Sequence, residues 1–226
     1  MILPSDSYDK FWNDVVKKNF PAAEFRFKDE SWLFKYILKY VFFFKKTFMT
    51  RFTTVIGSTI YFPSREWFDK RSAEGLATIS AHEMMHMWDK RVGKKFFIDW
   101  FSIKYLLPQG LAILSLLTFF AFTNLWFLCC LAFILFLAPW PAGWRAQYEA
   151  RGYAMTLHFR RIVSDGEYDV QRGINEILPM FTDGSYYWMS WSTRASRRTL
   201  TDSYETLTKT HAAFKEVEAW LKTQAP

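Results

Sequence analysis

Residues 82–86 have the sequence HEMMH, in which two histidines stand four positions apart and a glutamate follows the first. On a helix, side chains four residues apart project from one face, so His82 and His86 can bind one Zn²⁺. Glu83 then stays free of the metal and can act as general base toward a zinc-activated water. The spacing therefore predicts a hydrolytic metal site.

The residues around this motif predict the elements that must position it. Ser72 is a suitable N-cap for a helix running to about Val92, with Gly93 as a left-handed stop. Upstream, residues 52–62 are rich in Thr, Val and Ile and end at Pro63, which predicts a strand. Hydrophobic spacing predicts further helices at 6–19, 31–46, 144–163, 170–178 and 202–222. The predicted fold class is α+β and predominantly helical, with a small sheet or edge strand upstream of the metal helix.

A third metal ligand is expected downstream, and Glu149 is the preferred residue. It lies in the helix predicted for 144–163, in an aromatic-rich stretch where a carboxylate needs a partner, and a metal ion would be one. Arg145, four residues earlier, offers an alternative partner on the same helix. The rival ligands are Asp89, His158 and Glu167. Asp89 is better suited to orient a ligand, because it follows His86 on the same straight helix.

With these residues the sequence resembles the zincin metallopeptidases, and in particular the gluzincins, whose third ligand is a glutamate on a later helix. The resemblance implies that Glu149 completes the zinc site and that the predicted strand at 52–62 pairs with an extended substrate. The metzincin pattern is excluded, because Asp89 and Val92 stand where that pattern requires Gly and His.

Peptide hydrolysis of this kind needs a donor for the tetrahedral oxyanion in addition to the metal. Three tyrosines are candidates for this role, namely Tyr153, Tyr186 and Tyr187. Asp89 and His158 are candidates for orienting the metal ligands through hydrogen bonds.

Residues 105–144 contain no charged side chain between Lys104 and Arg145. A single α-helix of this length would be about 60 Å long, twice the hydrocarbon thickness of a bilayer, so the segment must break. Thr123 and Asn124 are polar residues near its middle and predict an apolar helical hairpin. The hairpin either crosses the membrane twice or dips into it, and the alternative is a hairpin buried in a soluble core.

Basic residues flank this segment on both sides, which places both ends in the cytosol by the positive-inside rule: Lys90, Arg91, Lys94, Lys95, Lys104, Arg145, Arg151, Arg160 and Arg161. Independently, His82, His86 and Glu149 can meet at one metal only if the intervening segment returns to the side it left. The two arguments agree. Residues 1–226 are thus expected to form a single metallopeptidase-like domain with 105–144 inserted.

The order of these elements over residues 72–163 also resembles the integral-membrane gluzincins. Those proteins usually carry an aspartate four residues after the glutamate ligand, whereas this chain has Tyr153 there. They also have earlier transmembrane helices that this chain lacks unless residues 32–48 insert. The resemblance is therefore extended to the zinc site and not to the substrate.

Composition narrows the remaining function classes. The net charge of +7 would suit nucleic acid or an anionic membrane, but no nucleic-acid motif accompanies it, so no nucleic-acid partner is expected. The two cysteines are adjacent and form no disulfide framework. The predicted protein is a membrane-associated zinc metallopeptidase that acts on peptide or protein substrates and contacts membrane lipid at the cytoplasmic membrane. The alternative is a membrane-bound regulatory or structural protein that keeps the zinc-binding fold without turnover. No feature of the sequence specifies an oligomeric state.

Overall fold

A computed structural model describes residues 3–39, 47–95, 98–137, 140–183 and 189–224. The structure is 70% helical with a small mixed sheet of three strands, which confirms the coarse prediction of a helical α+β chain. It divides into two compact units. Unit 1 holds the described residues of Met1–Trp88, Gly152–Asp169 and Tyr204–Pro226, and unit 2 those of Asp89–Arg151 and Val170–Ser203.

The sheet of unit 1 has the order β1-β3-β2, with β1 at Glu24–Phe27, β2 at Thr54–Ile56 and β3 at Thr59–Phe62. Strand β3 pairs in parallel with β1 and antiparallel with β2. The prediction of a single strand over residues 52–62 is wrong, because the segment folds back on itself as the two strands β2 and β3. Gly57, at φ +69°, adopts the left-handed conformation that the tight turn requires, and the chain reverses there.

The N-terminal helix predicted for 6–19 is present as α1 (Ser7–Phe11) continuing into a π-helical stretch at Trp12–Lys17. A second π-helical segment, Phe34–Leu38, lies inside the helix predicted for 31–46, of which residues 40–46 lie outside the described residues. Phe34 is buried, whereas Trp32 is 66% exposed. A short helix, α2 (Arg65–Asp69), follows the sheet.

Helix α3 (Ala73–Gly93) carries the HEMMH motif, as predicted. The Ser72 hydroxyl accepts a hydrogen bond from the Gly75 N–H at 3.1 Å, which confirms the N-cap. The helix is apolar on several faces and is therefore largely buried. Its buried side chains are small or flexible: Ala77, Ala81, Met84, Met85 and Met87.

Gly93 does not act as the left-handed stop that the sequence predicted. It is the last residue of α3 and is absent from the positive-φ glycines of the described chain, which are Gly57 and Gly166. A β-carbon at this position would lie 3.1 Å from the backbone nitrogen of Phe101. The glycine therefore serves a close approach between chain segments within unit 2 rather than a helix cap.

Unit 2 continues with the strand pair β4 (Lys94–Lys95) and β5 (Ile98–Asp99), then α4 (Trp100–Leu106). Two apolar helices follow, Gln109–Phe122 and Leu125–Leu137, which we call the 3₁₀ hairpin. The predicted break at Thr123 and Asn124 is confirmed. The two arms are 3₁₀-helical, so each residue advances about 2.0 Å instead of the 1.5 Å of the predicted α-helices, and the arms are correspondingly longer.

Helix α5 (Gly143–Val163) agrees with the helix predicted for 144–163. Three alanines at four-residue intervals, Ala146, Ala150 and Ala154, are buried along it. Residues four apart lie on one face of a helix, so these three small side chains share a buried face of α5.

Helix α6 (Val170–Thr182) extends the helix predicted for 170–178. The prediction of a single C-terminal helix over residues 202–222 is wrong, because the chain forms two helices there, α7 (Thr193–Thr210) and α8 (Ala212–Thr223). His211 interrupts them in an extended conformation, and its Nδ1 accepts a hydrogen bond from the Ala213 N–H at 3.2 Å. His211 is thus the N-cap of α8.

Across the described residues, no individual helix has both the length and the hydropathy needed to cross a bilayer. One pair of helices meets these requirements jointly, Trp100–Leu106 with Gly110–Phe122, and the two are bent by 85° relative to each other.

Candidate metal centre

Two histidines on α3 form the first part of the candidate site. The rings of His82 and His86 lie 5.0 Å apart between centroids, with an interplanar angle of 76°. His86 is buried and His82 is half-buried, and Glu83 between them is also buried. The two imidazoles therefore project from one face of a largely buried helix, as the four-residue spacing predicted.

Glu149, on α5, joins these histidines. One ligand atom from each of His82, His86 and Glu149 can be chosen so that all three lie within 4.8 Å of one another. The structure therefore brings together the three residues that the sequence nominated as metal ligands. Among the described residues, this cluster does not include the rival ligands Asp89, His158 and Glu167.

The chemistry of this cluster fits Zn²⁺. Two imidazoles and one carboxylate form a frequent protein ligand set for zinc, in which ligand atoms about 2.0–2.2 Å from the metal lie roughly 3.4 Å from each other. The ligand atoms lie within 4.8 Å of one another, so they need to approach by at most about 1.4 Å to reach that geometry. The Glu149 residue is only 1% exposed, and a buried carboxylate requires a compensating charge or hydrogen-bond donors.

Tyr105 supplies one such donor. Its hydroxyl donates a hydrogen bond to Oε1 of Glu149, and its backbone carbonyl accepts a hydrogen bond of 2.9 Å from Nε of Arg145. Tyr105 thus links Glu149 to the buried Arg145, the residue that the sequence offered as a direct partner of Glu149. The sequence did not reveal Tyr105, because it lies 44 residues before Glu149 in a different helix.

Within unit 1, His82 contacts the part of α5 that begins at Gly152. Its Nδ1 lies 3.3 Å from the hydroxyl of Thr156, and that hydroxyl lies 3.4 Å from the backbone carbonyl of Gly152. A hydroxyl that donates to the carbonyl can accept from Nδ1–H, which leaves Nε2 with its lone pair for a metal. Neither Thr156 nor Gly152 was nominated from the sequence, where an isolated threonine and glycine carry no signal.

Tyr153 contacts His82 from the same helix. The two ring centroids are 4.8 Å apart at an angle of 80°, so the tyrosine meets the imidazole edge to face. Of the three tyrosines nominated as oxyanion donors, Tyr153 is therefore beside a nominated ligand, whereas Tyr186 and Tyr187 lie outside the described residues.

Asp89 forms an ion pair within unit 2. Its Oδ1 lies 2.6 Å from Nη1 of Arg151, and the aspartate side chain is 1% exposed. Burial raises the pKa of Asp89 to about 7, and the charge of Arg151 offsets only part of that effect. The pair joins the last turns of α3 to the middle of α5. Asp89 follows His86 by three residues, and Arg151 follows Glu149 by two.

His158, the other residue nominated to orient the ligands, faces the C-terminal helix. Its Nε2 lies 3.6 Å from the Glu218 carboxylate. Burial lowers the pKa of His158, and the nearby Glu218 counteracts this in part. The contact of His158 that the structure shows is thus with α8.

Lys28 is a buried cation of unit 1 that the sequence did not nominate. Its Nζ donates to the backbone carbonyls of Phe48 and Phe52, at 2.9 and 2.6 Å. Burial lowers the pKa of Lys28 to about 7, while the charge of Glu83 acts to raise it. Lys28 therefore lies within the electrostatic reach of the candidate general base.

Comparisons with known protein families, with curated proteins and with solved structures each found no match. The functional assignment therefore depends on the residues and geometry of this chain.

Proposed function

We propose that this protein is a membrane-associated zinc-dependent metallopeptidase, with His82, His86 and Glu149 as zinc ligands and Glu83 as general base. The observation that carries the proposal is the convergence of these two histidines and this glutamate, with Glu83 on the same helix as the histidines. Two histidines, one carboxylate and an adjacent glutamate form a set that supports hydrolysis by an activated water.

Zinc, when bound, supplies a water of lowered pKa and polarises the scissile carbonyl. Glu83 would act as the base that accepts a proton from the attacking water and passes it to the leaving amine. Buried surroundings strengthen these charge interactions. Tyr105 and Thr156 keep Glu149 and His82 in the orientation that metal binding needs, through the hydrogen bonds described above.

Tyr153 is the preferred donor for the oxyanion that forms when the carbonyl is attacked. Its ring lies against His82, so its side chain is held beside the metal ligands. Replacing the tyrosine by phenylalanine keeps this ring contact and removes only the hydroxyl. If Tyr153 is the oxyanion donor, Tyr153→Phe should lower kcat and leave the zinc content nearly unchanged.

The membrane part of the proposal is supported by unit 2. The chain between Lys104 and Arg145 lacks charge, and its 3₁₀ hairpin carries many exposed apolar side chains. Basic residues at both ends favour the cytosolic side of the cytoplasmic membrane, which would place the zinc ligands on that side as well.

The Glu83→Gln variant tests the catalytic proposal. We expect wild type to hydrolyse a mixed peptide library and the variant to lose at least about 100-fold in rate, because the amide cannot accept the proton. Zinc content should be unchanged, since Glu83 is not a ligand. Hydrolysis that survives this substitution would contradict the mechanism. A wild type that binds zinc without hydrolysing any peptide would favour the non-catalytic alternative.

A further inference from the structure

The 3₁₀ hairpin, Gln109–Phe122 with Leu125–Leu137, exposes an unusual amount of apolar surface. Seven of its large side chains are about two-thirds exposed or more, namely Ile113, Leu116, Phe119, Phe122, Leu125, Trp126 and Leu135. A soluble monomer rarely leaves so many neighbouring apolar groups in water. Some apolar environment must therefore cover the hairpin.

We propose that this environment is the interior of an anionic bilayer, and that the hairpin enters from one side, ends inside the membrane and returns to the same side. This inference rests on the membrane association proposed above and does not depend on peptide hydrolysis. It specifies the lipid charge, the interface residues and the position of the hairpin tip.

Lipid is favoured over a protein partner because apolar side chains lie all around each arm. The two arms contain no charged residue and show no separation into a polar and an apolar face. A protein partner would cover one face of such a hairpin and leave a polar face toward water, whereas lipid surrounds an inserted segment on every free side.

The base of the hairpin has the composition of a membrane interface. Three tryptophans there are 43–49% exposed, namely Trp100, Trp140 and Trp144. The Lys104 ammonium lies 6.0 Å from the centroid of the Trp144 ring, and Trp100 lies one turn earlier on the same helix as Lys104. Tryptophans settle at the headgroup level, and lysines are attracted to anionic headgroups. Further basic residues of unit 2 precede the hairpin at Arg91 and Lys94, whereas Lys90 forms an ion pair of 3.2 Å with Asp99.

The length of the arms sets the depth of the tip. The longer arm has 14 residues, which at about 2.0 Å per residue extend roughly 28 Å, slightly less than a hydrocarbon core of about 30 Å. Helix α4 adds no length across the membrane, because it is bent by 85° from Gly110–Phe122. The tip therefore stops short of the far headgroups.

The polar side chains of the hairpin tip, Thr123 and Asn124, form local hydrogen bonds. The Thr123 hydroxyl donates to the Phe120 carbonyl at 2.7 Å, and Oδ1 of Asn124 accepts from the Trp126 N–H at 3.0 Å. Local bonding of this kind lowers the cost of placing polar side chains in hydrocarbon. No charged residue is present at the tip to hold it in the far aqueous phase.

Cell-free synthesis of the full chain with preformed vesicles tests the lipid preference. We expect flotation with vesicles of phosphatidylglycerol and phosphatidylcholine, and much weaker flotation with phosphatidylcholine alone. The Lys104→Ala variant should lose roughly fivefold in affinity for the anionic vesicles only. A matched control is Lys215→Ala, an exposed lysine of α8, which should bind as wild type. Equal flotation on both lipids would overturn the anionic preference.

Thiol labelling tests the depth of the tip. An Asn124→Cys variant, with Cys129→Ser and Cys130→Ser, is challenged with a membrane-impermeant maleimide either outside the vesicles or trapped inside. We expect reaction with neither until detergent is added. The exposed control Asp202→Cys in the same background should react with the external reagent. Reaction of the tip thiol with trapped reagent would show spanning, reaction with external reagent would show a surface position, and either result would overturn the proposal.

These outcomes are separable from those of the peptidase assay. A vesicle result that contradicts the hairpin proposal leaves zinc content and the Glu83→Gln comparison unaffected, because neither measurement requires a bilayer.

Discussion

The backbone of Gly152 approaches the His82 ring so closely that a β-carbon at position 152 would lie 2.6 Å from Nε2. Any side chain there would push the imidazole away from the position in which it meets His86. We therefore expect Gly152→Ala to lower zinc affinity by about 10–100-fold, which is the usual effect of disturbing the groups that orient a ligand. Competition with a chelating indicator measures this affinity.

Gly143→Ala is the matched control for that substitution. Gly143 begins the same helix, and a β-carbon at that position meets no atom within 4 Å. Its zinc affinity should equal that of wild type. Unchanged affinity in Gly152→Ala would mean that His82 binds no metal in this position.

Thr156→Val tests the hydrogen bond at Nδ1 of His82. Valine has nearly the shape of threonine but cannot accept from Nδ1–H, so the tautomer that exposes Nε2 loses its support. Zinc affinity should fall by about tenfold or more, with little change in thermal stability. Thr208→Val removes a comparable bond from a hydroxyl to the carbonyl four residues earlier, away from any histidine ligand, and should leave zinc binding intact.

Arg151→Ala tests the ion pair that joins α3 to α5. Asp89 is 1% exposed, so removing its partner leaves a buried carboxylate without compensation, and we expect a loss of about 3 kcal/mol in the free energy of unfolding. The loss should shrink at pH 5, where Asp89 is protonated. Urea denaturation at pH 5 and pH 8 measures both values. Arg198→Ala breaks an exposed pair with Asp202 and should cost less than about 1 kcal/mol, and an equal cost for the two variants would contradict the buried-pair account.

The residues around the metal motif show where sequence reasoning succeeds and where it stops. The motif, the helix that contains it and the apolar break at Thr123 and Asn124 depend on local spacing, and these features were predictable. Glu149 was nominated because a carboxylate in an apolar helix needs a partner. Tyr105 was missed because its hydrogen bond to Glu149 spans 44 residues, a distance over which local pattern carries no information.

The errors in the fold have a similar origin. The turn at Gly57 interrupts a run of residues that are all compatible with a strand, so hydrophobic pattern alone favoured one element. The sequence predicts Gly93 as a helix cap, whereas in the structure Gly93 allows Phe101 to approach closely. The pattern of apolar residues continues through His211 and predicts one amphipathic helix, whereas His211 caps α8 and separates it from α7.

Lys28→Met tests a pH dependence of stability. Burial lowers the pKa of Lys28 from 10.5 to about 7, so between these values the unfolded chain binds more protons than the folded protein. The free energy of unfolding should therefore rise with pH through this window, by up to about 1.4 kcal/mol per pH unit from this group. The methionine variant should lack this part of the slope, and the exposed control Lys215→Met should retain it. A slope unchanged by Lys28→Met would contradict the assignment.

Zinc stoichiometry after dialysis tests the central claim, that His82, His86 and Glu149 bind one metal ion. Plasma mass spectrometry should find about one zinc per chain in wild type and in Glu83→Gln, because the base is not a ligand. Glu149→Ala should retain far less than one zinc, with circular dichroism confirming that it remains folded. Full zinc content in folded Glu149→Ala, or none in wild type, would contradict the account.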